Sequence, residues 1–187
     1  MVIEKAGAPQ AQLQLGMPGV PRSSPDNVAA EVVFQVLAGG TSSRLFRNIR
    51  EAKGYTYGIG GREDARRLGG SSVLAGSVKA DRTGEAIRDV LEEIRRLREV
   101  LGLPAGFATA GGIAGHLAEL VVHGLPDDHW NRYVEQVRAI GAEDVRRVAG
   151  QILDPSRVTL VVVGDTAVVR PQLEGLPIGP VEVRPAP

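Results

Sequence analysis

The chain has no cysteine, and that one absence removes disulfides, thiolate metal sites and cysteine nucleophiles together. Histidine is nearly missing too: His116, His123 and His129 are the whole supply. Lysine occurs three times, as Lys5, Lys53 and Lys79, so arginine carries most of the positive charge. No charge of either sign is in excess, with 22 basic and 22 acidic residues. That balance lacks the basic footprint of a nucleic-acid binder, and no nucleic-acid partner is expected. No hydrophobic run is long enough to cross a bilayer. The longest, Val158 to Val163, is strand-sized. Met1 to Pro9 has no apolar core of a secretory signal. These absences predict a soluble, cytoplasmic protein without membrane contact, or a piece of a longer chain.

What is present suits one domain. A chain of 187 residues buries about 70% of its unfolded surface and folds without staples. Residues 1–10 read as an N-terminal tail and residues 11–187 as a single domain. Ala11 to Met17 alternates apolar and polar residues, the pattern of a half-buried strand. Pro18 to Asn27 is a loop, with Ser24 or Asp26 to cap the helix that follows. Val28 to Leu37 is apolar almost all round, the mark of a buried helix. Gly39 and Gly40 stop it. A second helix is predicted from about Ser42 to Lys53, capped by Thr41 or Ser42, with Leu45, Phe46 and Ile49 inward. Arg47 with Glu51 and Arg44 with Asn48 are spaced to pair on it.

Gly54 ends that helix. Tyr55 to Ile59 and Ser72 to Ala80 then alternate as an antiparallel pair, joined through a charged turn from Gly61 to Arg67. Asp81 to Leu101 is the clearest helix, with Ala86, Ile87, Val90, Leu91, Ile94, Leu97 and Leu101 on one stripe. Helices are also predicted over Ala105–His123, Trp130–Ile140 and from Gly141 to about Leu153. Val158 to Val163 is a central strand, closed by Gly164 and Asp165, and Pro177 to Val183 an edge strand. The order predicts an α+β fold: a largely antiparallel sheet covered on one face by helices.

Few residues offer chemistry. His116, Leu117, Ala118, Glu119 and Leu120 spell the first four positions of an inverted zinc motif, H-x-x-E-H, and fail at the fifth. His123 lies two helical turns from His116, too far to share an ion. No metal site is expected. Ser42 and Ser43 lack a G-x-S-x-G frame, and helix capping accounts for them. The Gly39–Gly40 pair belongs to neither phosphate-binding glycine pattern, so a small-molecule enzyme using this loop is the weakest reading.

Arg50 and Tyr57 remain. A tight turn at Gly54 would fold the strand back beside the helix and bring both side chains to one point. A guanidinium with a phenol suits a peptide carbonyl, or an oxyanion forming on one. Taken alone, the same residues also fit a surface ion pair and a half-buried tyrosine.

The run Gly39-Gly40-x-x-Ser43-Arg44-Leu45-Phe46-x-x-Ile49-Arg50-Glu51-x-x-Gly54-x-x-Tyr57 resembles the signature of the C-terminal domain of the M16, or pitrilysin-like, zinc peptidases. It departs at Ile49 and Tyr55, where the family has leucine. The strand ending Val163-Gly164-Asp165, the opening strand and the Pro21 to Asp26 loop fit as well, so the resemblance spans nearly all the chain. It implies the M16 metallohydrolase fold. It also implies that zinc and a general-base glutamate sit on a partner domain or subunit, while this half supplies Arg50 and Tyr57 to the substrate backbone. Gly39, Gly40 and Ser43 are expected beside them as substrate contacts. The implied partners are a zinc-bearing M16 domain or subunit and a peptide, with a homodimer in isolation. Alone the chain would not cleave. The alternative is a proteolytically inactive scaffold, like the core subunits of respiratory complexes that the chain also resembles.

Overall fold

A computed structural model describes residues 1–99 and 129–186 of the chain. The sheet is built outward from β2 (Gln10–Gly19). Ala11, Leu13, Leu15 and Met17 are buried on one face of this strand, while Gln10, Gln12 and Gln14 are exposed on the other. Alternation of this kind lets a strand cover a core on one side and meet water on the other. On one flank β2 pairs antiparallel with β4 (Gly70–Lys79), which pairs antiparallel with β3 (Thr56–Ala65). On the other flank it pairs antiparallel with β5 (Thr159–Gly164). β1 (Val2–Glu4) runs parallel to β5 and to β6 (Val183–Arg184). The six-stranded order is β3-β4-β2-β5-β1-β6, with β3 and β6 at the edges.

Helices lie on the Leu13 face. α1 (Asn27–Ala38) packs along β3, and α2 (Thr83–Glu99) packs against β4. α3 (His129–Ala139), α4 (Ala142–Ile152) and α5 (Thr166–Leu173) complete the described layer. Leu37, Leu74, Ile87 and Ile94 meet Leu13 and Leu15 in one aliphatic core. The predicted α2 stripe is buried from Ala86 to Leu97. The expected α+β fold, a largely antiparallel sheet with helices on one face, is thus the observed one.

Several expectations need correction. The first ten residues are not a tail, because Val2 is buried and its N–H donates to the Glu182 carbonyl at 2.6 Å. Three residues are too few to show a period, so composition alone hid this strand. The charged stretch from Gly61 is strand as far as Ala65, and the turn is confined to Arg66–Gly69, where Arg66 N–H meets the Gly69 carbonyl at 2.7 Å. Charges suit that position, since β3 is an edge and charge discourages pairing with other chains. Asp165 does more than close β5. It caps α5 by accepting from Ala167 N–H at 2.9 Å. Its Pro171 sits too far into the helix to read as a start signal. The last strand is only Val183–Arg184. The Ala105–His123 helix, Leu101, His116, Glu119 and His123 lie outside the described residues.

Candidate active-site half: the Arg50–Tyr57 surface

α1 ends at Gly39, whose N–H bonds the Gln35 carbonyl at 3.0 Å. Gly40 then takes φ +98, a left-handed turn that glycine adopts without strain. The chain reverses, and Ser43 N–H closes the turn on the Gly40 carbonyl at 3.1 Å. Ser43 is the cap, rather than Thr41 or Ser42: its hydroxyl accepts from Phe46 N–H at 3.4 Å. Ser43 is 2% exposed and supports the turn from within.

The helix that follows is not α-helical. From Phe46 to Ala52 it is a π-helix, and Lys53 N–H reaches the Asn48 carbonyl five residues back at 3.2 Å. Arg47 and Glu51 do not pair, and Arg44 does not bond Asn48. Both Arg44 and Asn48 turn to Glu93 on α2 instead, at 2.8 Å and 3.0 Å. Leu45 and Ile49 are fully buried, as the inner stripe required, and Phe46 is partly so.

Gly54, at φ +63, ends the segment, and Tyr55 N–H bonds back to the Ile49 carbonyl at 3.0 Å. β3 opens with a bulge. Thr56 pairs with Val78 and Gly58 with the adjacent Ser77, so Tyr57 is the extra residue. A bulge bends its strand and re-aims a side chain. Thr56 stabilises this one: its hydroxyl accepts from Gly58 N–H at 2.9 Å and donates to the Ser77 carbonyl. Tyr57 is left 79% exposed.

The Arg50 guanidinium carbon sits 5.1 Å from the centre of the Tyr57 ring. A guanidinium over an aromatic ring is attracted to its face and can still donate N–H bonds to a ligand. Among the described residues no carboxylate pairs with Arg50. The turn at Gly54 therefore brings together the two side chains that the sequence singled out, one a rigid fork of donors and the other a phenol. Residues that sequence reasoning missed are Thr56, which shapes the bulge, and Glu93. The threonine stood in plain view, but nothing local marks a bulge. Glu93 is nearly fifty positions from Arg44, beyond any local pattern.

This surface does not fit a metal ion. Arg44, Arg47 and Arg50 repel a dication, and Arg47 is exposed without a carboxylate partner among the described residues. Among those residues no group of three or more histidine, aspartate or glutamate side chains is placed to hold a metal. At the far end of β3, Glu63 accepts from Val20 N–H at 3.2 Å and from the Ser72 hydroxyl. Burial, outweighing those hydrogen bonds, pushes its carboxyl above the ordinary range. A separate hollow of about 210 Å³ between α2, β5 and the 177–179 loop is lined mainly by aliphatic side chains such as Leu15, Ile87 and Leu160.

A helix-covered, largely antiparallel sheet with an arginine-bearing π-helix against its edge strand makes this an α+β domain. The Peptidase M16 inactive domain matches residues 1–105 of the chain. An uncharacterized zinc protease of Streptomyces coelicolor is 31% identical over 150 residues, covering 76% of this chain and 27% of the relative. The chain belongs to the M16 peptidase family. It spans about a quarter of that relative's length.

Solved structures agree on the fold. A peptidase M16 inactive domain from Pseudomonas fluorescens superposes with a TM-score of 0.79 at 22% identity, over 88% of this chain and 43% of that one. A chain of complex III2 from Candida albicans superposes with a TM-score of 0.66 at 14% identity, over 92% of this chain and 48% of that one. Among the described residues no helix is long and apolar enough to cross a membrane.

Proposed function

We propose that this chain is the substrate-binding, non-zinc half of an M16-type metalloendopeptidase, acting as one domain with β1 in its sheet. The observation that carries the reading is the Arg50 guanidinium stacked 5.1 Å from the ring of a 79% exposed Tyr57. The exposed phenol is open to a ligand, and the guanidinium beside it has no carboxylate partner among the described residues. Arg50 donates to the carbonyl of an extended peptide, and the Tyr57 hydroxyl donates beside it. Both bonds strengthen as negative charge grows on that oxygen. The metal and the general base belong to a zinc-bearing M16 domain or subunit; bound zinc there would polarise the scissile carbonyl and its attacking water. Gly39 and Gly40 are read as further substrate contacts, where a backbone without side chains lets a peptide approach. In isolation the same open surface is available to a second copy, giving a homodimer.

The test is turnover of a fluorogenic peptide by this chain reconstituted with its zinc-bearing half. Arg50→Ala and Tyr57→Phe are each expected to lower kcat about tenfold or more, the range seen when an oxyanion donor is lost. Parental turnover in both would reject the reading. A scaffold role without proteolysis is the second reading, favoured by the shared fold with the complex III2 chain. It predicts no cleavage by any reconstituted assembly.

A further inference from the structure

We propose that Glu93 is a positioning residue for the Arg50–Tyr57 pair, holding the π-helical segment in the rotation that stacks Arg50 on the tyrosine. The inference rests on the functional reading above and adds a residue to it from a different helix. Glu93 lies on α2 and is 5% exposed. A buried carboxylate is expensive unless its oxygens are satisfied. Here both are taken by the segment that carries Arg50: Arg44 Nε donates to Oε2 at 2.8 Å and Asn48 Nδ2 to Oε1 at 3.0 Å. Arg96 approaches Oε1 from its own helix at 3.6 Å. One turn earlier on the same face of α2, Asp89 pairs with Lys53 Nζ at 2.6 Å. Arg44, Asn48 and Lys53 bracket Arg50 in sequence, so α2 grips the segment on both sides of it.

Leu45 and Ile49 seat the segment against the core. Burial of that kind is non-directional and sets depth better than rotation. Charge-assisted hydrogen bonds are directional and stronger than neutral ones. A π-helical turn is rare and short, and here such side-chain bonds flank it on both sides of Arg50. Arg44 is already 24% exposed while bound to Glu93, so without that carboxylate it is free to hydrate and the segment can turn. Arg50 would then leave the Tyr57 ring while the fold persisted.

Proton NMR of the full chain reads this directly, because a guanidinium over an aromatic ring shows upfield-shifted side-chain protons. Glu93→Ala is expected to return the Arg50 protons to the position of a solvated arginine. Glu93→Gln keeps one acceptor and is expected to give an intermediate shift. Leu13→Ala, a core change on β2, is the stability control and should leave the shift in place. In the reconstituted peptidase, Glu93→Ala should lower kcat at least fivefold with little change in KM, and Glu93→Gln should restore part of it. An Arg50 shift that ignores both Glu93 variants, or that Leu13→Ala moves equally, overturns the proposal. Turnover that ignores Arg50→Ala rejects the functional reading instead and leaves the spectra to decide Glu93.

Discussion

β2 and β3 belong to one sheet, run ten residues each and both pair with β4, yet they are held in different ways. β2 is regular: its apolar residues go in, its glutamines stay out, and its register with β4 runs unbroken from Gln10 to Gly19. β3 is an edge strand with a bulge at its start, an exposed tyrosine on the bulge and a half-buried glutamate further along. β2 is stabilised by aliphatic burial, which tolerates no polar interruption. β3 relies on individual hydrogen bonds from Thr56, Val20 and Ser72, and these can aim a side chain outward. Regularity stabilises the domain, and the irregular edge presents the candidate chemistry.

Substitutions can break that contrast, beginning with the largest effect. Leu13→Ala on β2 removes a side chain that is 2% exposed. It is expected to lower the unfolding free energy by about 2–5 kcal/mol, read from urea denaturation. A loss well below that would show that β2 is not the packed centre of the sheet.

Thr56→Val on β3 keeps the shape and removes the hydroxyl that satisfies Gly58 N–H. The expected loss is about 1 kcal/mol, together with a change in the Tyr57 ring resonances. A loss of stability with unchanged Tyr57 signals would mean that the bulge does not depend on Thr56.

Glu63→Gln has the smallest expected effect, and its sign is opposite. The folded protein holds the Glu63 carboxyl above its ordinary value, so the native state favours the protonated form. Glu63 therefore takes stability away as pH rises from the ordinary carboxylate range through its raised value, and the penalty stays constant above that. The amide variant should melt slightly higher than the parent at neutral pH, and the difference should shrink as pH falls through the raised value and vanish below the ordinary carboxylate range. Melting curves of both proteins across pH 3–8 check this, and a parent that is more stable at neutral pH would contradict it.

The same contrast decides what could be read in advance. β2, the α2 stripe and the β-branched run of β5 follow from period and composition, because burial on one face imposes the period. So did the convergence of Arg50 and Tyr57, which needed only a tight turn at Gly54. The π-winding was not legible. It is bound up with what Arg44 and Asn48 grip on α2, and that contact is set by tertiary packing. The bulge was hidden for a related reason, since Thr56 shows its role only once Ser77 lies across from it. β1 was too short, and α5 carries a proline. Local pattern recovered the scaffold and named the two candidate side chains. The contacts that aim them are long-range.

On the proposed reading, Arg50 and Tyr57 act as one unit on a peptide in the active site of a zinc-bearing partner. A double-mutant cycle on kcat in the reconstituted peptidase tests it most directly. Arg50→Ala removes the guanidinium, and Tyr57→Leu removes both the hydroxyl and the ring on which the guanidinium rests. Each single change should lower kcat about tenfold or more, and the pair together should lose little beyond the worse single variant, as residues that work as a unit do. Parental turnover in the single variants, or losses that simply multiply, would contradict the account.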